Sequence, residues 1–469
     1  MCCQRTTLLA ISIALGMSWT ASLWGQKAQE SDVSAIPAPP ANVSLPATTT
    51  QVVPGTNIPI PFIAPGPVKP KLSALAEIPD WKQLESLSDL LTKEEFEQAF
   101  KTFYSDRSNF PVPWRIEGNT LIVETSPGKA PVRITFRETS PAKPKHAMRY
   151  WRSPQELPPL QPGEPVLTGV HIALDPGHIG GGFARLEERW LSMNPGEEIM
   201  EGSIMMALAN MLKPRLEALG AQVTLVRTSE NPVTETRPEN LKETARAILH
   251  DAGITSPQET YADNQNDARI LTVQWQSEKL FYRVSEIRAR AEKVNTKLRP
   301  DVVLCLHLNA EAWGDPAKPA FVDKNHLHLL INGCYSADEL QYEDVRFEML
   351  QRLFSRTHEQ EVAMADVVAT DLAKTTGLPA FVYLTNNAKR VSENPYVFSR
   401  NLLASRLYEC PVLYFEPYVM NHEQTYKRLL LGHFIGRTLL GTELVTSPME
   451  DYARGVLEGL TDFYSKARK

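Results

Sequence analysis

Residues 170–226 read as a strand, a sharp turn, a helix and a second strand, and no other stretch restricts the fold as strongly. Residues 170–174 (VHIAL) are an apolar run suited to a buried strand. Asp175-Pro176-Gly177 is turn chemistry that ends it abruptly, delivering His178 at the carboxyl end of a strand. In open α/β sheets that edge is where ligands gather. Ile204, Ala207, Leu208, Met211, Leu212, Arg215 and Leu219 then recur at helical spacing, Gly220 supplies a stop, and Pro214 predicts a kink. Residues 223–226 form the second apolar run. One such βαβ unit predicts an α/β fold with a mostly parallel central sheet and helices on both faces.

A glycine-rich turn between strand and helix could also cradle a phosphate. Residues 177–182 do not follow G-x-G-x-x-G, however, and Arg227 stands where a ribose-binding acid would be expected. A histidine just after a strand is, by itself, an ordinary loop residue.

Several further stretches follow in a fixed order. Asp175-Pro176-Gly177-His178-Ile179-Gly180-Gly181 comes first, then Glu201 at a helix start, then VTLVR at 223–227. Arg290 and Asn295 precede DVVLCLHLNA at 301–310, and PVLYFEPYVMNHE occupies 411–423. This series resembles the zinc-dependent N-acetylmuramoyl-L-alanine amidases, over roughly residue 169 to the C-terminus. The resemblance implies Zn2+ as cofactor, with His178, Glu201 and His307 as metal ligands and Glu416 as the catalytic proton-transfer residue. A catalytic zinc site of three protein ligands leaves a fourth position open for water. The implied substrate is peptidoglycan, cut between N-acetylmuramic acid and the first L-alanine of the stem peptide during cell-wall remodelling. A zinc peptidase on a related scaffold and a non-catalytic peptidoglycan-binding protein are the alternatives; the four residues occurring together favour catalysis.

Residue by residue, His307 ends an apolar run at 302–306 as His178 follows its own, so both can face one cleft. Glu187, Glu188, Glu197 and Glu198 compete with Glu201, which alone has the family's offset to Ala207, Ala209 and Leu212. His326 and His328 alternate with apolar residues on a strand pattern, so one or both can line the cleft, with a satisfied structural histidine as the default; His358 and His422 read as surface residues. The sequence departs from the family in three ways. Ile179 interrupts the Gly-His-Gly-Gly run, Glu416-Pro417-Tyr418 replaces a glutamate followed by a small residue and glycine, and interruptions fall near 238–285 and 313–410. An element of the second interruption is expected to cover the cleft, so a regulatory protein or this internal element is an expected partner.

The remaining chain sets the context. Residues 1–25 have the layout of a secretory signal peptide, with Arg5 before an apolar stretch too short for a comfortable membrane span. An exported protein, periplasmic or associated with the cell wall, is expected, with no stable membrane span after cleavage. Residues 26–70 form a proline-rich linker, with ten prolines between 36 and 70. Residues 71–165 read as a small α+β domain of unknown role, with a capping box at Thr92 and Glu95, a hairpin around Gly118-Asn119 and a third strand at 132–136. Its aromatic residues Trp81, Tyr104, Trp114, Tyr150 and Trp151 are core residues or sugar-stacking platforms. Residues 166–469 are the catalytic domain, where 337–374 reads as a long helical pattern. With 49 Lys and Arg against 55 Asp and Glu, the net charge is −6, and no nucleic-acid partner is expected. Of five cysteines, Cys305, Cys334 and Cys410 remain after signal cleavage, enough for one disulfide at most.

Overall fold

The computed structural model describes residues 70–106, 111–139, 149–261, 267–311 and 320–468. The expected signal peptide and all but the last residue of the linker lie outside the described residues. Strands β1 (Trp114–Glu117), β2 (Thr120–Val123) and β3 (Val132–Thr135) form a small antiparallel sheet. Then come β4 (His171–Pro176), β5 (Trp190–Ser192), β6 (Glu198–Met200), β7 (Gln222–Leu225), β8 (Val302–Leu306), β9 (Leu327–Asn332), β10 (Lys389–Arg390), β11 (Val397–Arg400) and β12 (Val412–Pro417). The central sheet has the order β10-β11-β9-β12-β8-β4-β7.

Register explains why one edge of this sheet collects the polar residues. Strands β7, β4, β8 and β12 run parallel, pairing Pro176 with Leu306 and Leu306 with Phe415. The residues just beyond these pairs, His178, His307 and Glu416, therefore leave the sheet at the same edge. Strand β9 runs antiparallel to β12 and opposes His328 to Glu416. The sheet is thus mixed but mostly parallel, as the βαβ unit predicted.

Helices cover both faces. On one side, the helices Glu201–Ala218, Thr357–Thr376 and Pro448–Ala467 bury apolar stripes against Ile172, Leu174, Leu304, Leu306, Leu413 and Phe415. The first of them continues through Pro214 without a break. On the other side, Ala173, Val303, Cys305 and Val412 pack with Ala291, Val294, Ala404 and Tyr408. Alternation along each strand divides these sets, as period-two geometry requires.

Thr92 caps the helix Lys93–Ala99 with the expected reciprocal bonds to Glu95. The aromatics Trp81, Tyr104, Trp114 and Trp151 are at most 9% exposed, so the core reading holds for them and the sugar-stacking one does not. Trp81, Phe96, Trp114 and Phe136 share one core with Tyr335, Phe347, Leu350 and Phe354 of the second interruption.

Three expectations need correction. The pattern at 337–374 is not one helix but two, Glu343–Phe354 and Thr357–Thr376, broken where Arg356 takes a left-handed backbone at φ 59°. Periodicity carried across the break because both helices bury one side. Arg352 and Glu361, from the two helices, meet in a buried ion pair that ties the break to Tyr408 and Val412. Second, His358 is buried beside Phe103 and Tyr104, and that burial, helped by the Arg356 and Arg352 charges, pushes its pKa down to about 3. His422 is half-buried. Third, the interruption at 238–285, polar and charged with no clear period in sequence, supplies helices Lys242–Asp251 and Val273–Leu280, and Leu241, Leu249, Val273 and Phe281 of this stretch pack with Ile179 and Leu403. Cys305, Cys334 and Cys410 are all buried. No helix among the described residues is long and apolar enough to cross a membrane.

Candidate metal centre and its cleft

The chain turns out of β4 into a tight loop whose shape is set from several sides. His178 itself has a left-handed backbone, φ 55°, costly for a residue with a Cβ. Arg290 holds it there: Nη2 donates to the His178 carbonyl at 2.8 Å, and Nη1 to the Pro176 carbonyl and Asp175 Oδ1, both at 2.9 Å. Arg290 is in turn fixed by Glu286 at 2.7 Å. Arg227, at the end of β7, donates to the Pro176 and Gly202 carbonyls at 3.4 and 3.3 Å. The two arginines that the resemblance singled out thus brace the turn. Asn295 has a different task, donating to the Leu407 carbonyl at 2.9 Å and accepting from Tyr150.

Two glycines are sterically required. A Cβ at Gly177 would sit 2.3 Å from the His307 ring, and one at Gly180, φ 83°, would sit 2.5 Å from the Ser203 backbone nitrogen. The absence of side chains lets the loop press against both His307 and the start of the Glu201–Ala218 helix.

Glu201 begins that helix, where a negative charge is favoured by the helix dipole. Its Oε2 lies 3.2 Å from His178 Nε2, and its Oε1 lies 3.1 Å from His307 Nδ1 and accepts from the Leu308 backbone N–H at 3.1 Å. One ligand atom from each of His178, Glu201 and His307 can be chosen so that all lie within 4.8 Å of one another. The His307 ring stacks on Tyr414, centroids 4.3 Å apart, and meets the His178 ring edge-on at 5.0 Å. Glu416, two residues beyond Tyr414 on the same side of β12, lines the same cleft.

The electrostatics divide the two glutamates. Burial opposes the charged form of Glu201, but the two histidines outweigh it and hold its carboxyl far below the ordinary range. Burial, reinforced by the Glu201 charge, pushes Glu416 well above its ordinary value. Burial likewise lowers His307, whereas for His178 the carboxylates of Glu201 and Glu187 overcome burial and raise it. The set therefore offers an anionic oxygen and two imidazole nitrogens to a cation, a donor chemistry suited to zinc.

Glu187, named in the sequence only as a competitor of Glu201, sits behind the site. It accepts from the backbone N–H groups of Ile179 and Gly180 at 2.8 and 3.1 Å, and its Oε1 is 3.8 Å from His178 Nδ1. It orients His178 rather than joining the donor set, in the way outer carboxylates steer ligating histidines. Glu187→Gln is expected to weaken zinc affinity about 10–100-fold, by competition with a chromogenic chelator, while leaving the thermal transition largely in place. An unaltered affinity would remove that role. Glu188, Glu197 and Glu198 are not part of the donor cluster. His326 and His328 are buried outside the cleft lining. His326 Nε2 is 3.3 Å from Glu311, but the Nδ1 atoms of both rings lack a partner among the described residues, so neither is fully satisfied.

Tyr418 stands where the resemblance would place a glycine. Its backbone is left-handed, φ 62°, the conformation that glycine adopts most easily. Burial of its ring, with the hydroxyl 3.4 Å from Asp451 and Arg428 over the ring face, holds the tyrosine in that conformation.

Fold and site together define an α/β protein with a His-Glu-His cluster, suited to a metal ion, at the carboxyl edge of a mostly parallel sheet. No family model matches the chain, and no curated protein does. Among solved structures, the apo N-acetylmuramyl-L-alanine amidase of Mycobacterium abscessus is 14% identical, covering 63% of this chain and 99% of its own at a TM-score of 0.33. The catalytic domain of an N-acetylmuramoyl-L-alanine amidase from Bacillus (Paenibacillus) polymyxa var. colistinus is 12% identical, with 63% and 98% covered and the same score of 0.33. The CwlD amidase of Clostridioides difficile, solved in complex with the GerS lipoprotein, is 14% identical, with 64% and 100% covered and a score of 0.32.

Proposed function

We propose that this protein is a zinc-dependent peptidoglycan amidase that hydrolyses the bond between N-acetylmuramic acid and the L-alanine of the stem peptide, outside the cytoplasm. The observation that carries the reading is the meeting of His178, Glu201 and His307 in one cleft with Glu416, a buried carboxyl of raised pKa. The ordered resemblance along residues 175–423 supports the substrate class. His178, Glu201 and His307 would hold the ion. Bound there, zinc would supply Lewis acidity toward the amide carbonyl and its attacking water.

The chain's own residues do the rest. Glu416 takes a proton from the attacking water and returns it to the leaving amine of L-alanine, a task for which a carboxyl raised toward the working pH is suited. Tyr414 keeps the His307 ring in place by stacking, and Arg290 keeps His178 in its left-handed turn. Leu402, Leu403 and Ala404, from the second interruption, form one wall of the cleft, with Tyr282 and Ile287 on another. In this reading the covering element belongs to the second interruption, which reaches the cleft at Leu402, Leu403 and Ala404.

The test is incubation of the purified chain with isolated peptidoglycan, following newly exposed L-alanine amino groups. Release is expected with zinc present, to be abolished by a chelator and restored by added zinc. Release that a chelator leaves intact, or no release with zinc bound at one equivalent, would sink the proposal.

A further inference from the structure

Two arginines line the cleft with hydrogen-bonding capacity that their neighbours leave unused: Arg189, whose ion pair to Glu201 is made through Nε alone, and Arg283, which has no carboxylate partner among the described residues. Arg189 follows the loop that carries Glu187, and its side chain is 17% exposed. Its Nη1 donates to the Glu188 carbonyl at 3.2 Å, and its Nε stands 3.7 Å from Glu201 Oε2. Arg283 enters from the first interruption. Its Nε donates to the Tyr282 hydroxyl at 3.1 Å, its guanidinium lies 5.3 Å from that ring's centroid, and no carboxylate pairs with it among the described residues.

The neighbouring acids are engaged elsewhere. Glu188 pairs with Arg269 at 2.5 Å, Glu286 and Asp175 pair with Arg290 at 2.7 and 2.9 Å, and Glu187 accepts backbone N–H groups. Glu201 is shared by two histidines, and a cation held there would draw its charge away from Arg189. At Glu416, burial and the Glu201 charge outweigh the Arg400 and Arg189 charges, and its carboxyl stays above the ordinary range. Two forked cation donors consequently face the cleft with capacity left for an incoming anion. Guanidinium groups bind carboxylates in paired, charge-assisted hydrogen bonds.

We propose that Arg189 and Arg283 form an anion subsite that takes a carboxylate of the substrate, an inference that rests on the amidase reading for the identity of that substrate. Stem peptides carry such a group beside the first L-alanine, on a D-glutamyl residue whose α-carboxyl is present either free or as the primary amide. The subsite favours the free acid, because an amide removes the negative charge and places N–H donors against N–H donors.

The experiment uses the zinc-loaded full chain and two muramoyl tripeptides that differ only in this acid or amide. The acid is expected to be hydrolysed with a kcat/KM about tenfold or more above the amide, the size of one charge-assisted hydrogen bond. In Arg283→Met and in Arg189→Met that ratio falls toward one, mainly through KM for the acid, whereas Arg283→Lys retains part of it. Equal rates for the two substrates in the parent chain, or equal losses on both in the variants, overturn the subsite. Calorimetry with the free tripeptides and the Glu416→Gln chain decides the matter without turnover. Tighter binding of the acid, equalised by adding Arg283→Met, supports the subsite; equal binding of the two forms, or none, overturns it. If the parent chain hydrolyses neither substrate, the amidase reading fails while the calorimetric arm still decides the subsite.

Discussion

Glu416→Gln is expected to lower the rate of stem-peptide release by about 10²–10⁴-fold, the range that general acid–base groups supply. The amide keeps the size and most of the shape of the carboxyl but can neither accept the proton from water nor deliver it to the leaving amine. Glu416 stands on β12 between the stacked Tyr414 and the left-handed Tyr418, so the replacement should leave the strand intact. It also removes a carboxyl whose ionisation is opposed by burial and by Glu201, so thermal stability should hold or rise. The check is a pair of measurements on one preparation, zinc content and the rate of L-alanine amine exposure. Zinc bound at parental stoichiometry with activity lost is the expected result. Undiminished activity would reassign the proton transfer, and zinc lost along with activity would place Glu416 among the ligands instead.

Glu201→Gln is expected to have the opposite signature, losing metal first and activity as a consequence. The carboxylate is the one donor that faces both histidines, and it also anchors the Leu308 backbone N–H. A neutral amide gives up the charge that balances a cation. Zinc affinity should therefore fall by more than the about 10–100-fold that loss of an outer hydrogen-bond partner costs, and activity should fall below detection at stoichiometric zinc. The ion content after dialysis, measured by atomic emission, reads this directly. Full retention of zinc by the variant would show that Glu201 is a structural carboxylate between two histidines and that the ion, if any, sits elsewhere.

Part of this site was legible along the chain: local patterns put His178 and His307 at strand ends, whereas their grouping with Glu201 and Glu416 was implied only by the family resemblance. A strand ending in Asp175-Pro176-Gly177 must release His178 at the sheet edge, and an apolar run ending at Leu306 must do the same for His307. Glu201 opens a helix whose spacing is plain from Met205 to Leu216. The strand ends and the helix start are decided by residues within a few positions of one another, but the choice of Glu201 among its neighbouring glutamates came from the resemblance. Periodicity misled where two elements share one buried side, as at Arg356, and where a polar stretch earns its helicity from tertiary packing, as at Leu249 and Phe281 on Ile179.

The residues that read as ordinary were those whose role depends on a distant neighbour. Glu187 matters because the loop folds back to place it against the Ile179 and Gly180 N–H groups; in sequence it is one of several glutamates. Tyr414 matters because β8 and β12 are adjacent in the sheet, which brings its ring under His307. His358 was misplaced because a histidine on a helix carries no sign of which side will be covered, and Phe103 and Tyr104 cover it.

The sequence therefore determined the α/β class and the strand ends that carry His178 and His307 through short-range backbone and side-chain preferences, and named Glu201 and Glu416 through the resemblance of its ordered motifs. Only the tertiary structure decided which strands are neighbours, that His178, Glu201 and His307 come within reach of one ion, and that Arg189 and Arg283 face the cleft. Those outcomes depend on burial of whole faces and on registers between segments more than a hundred residues apart, and no local preference encodes such distances.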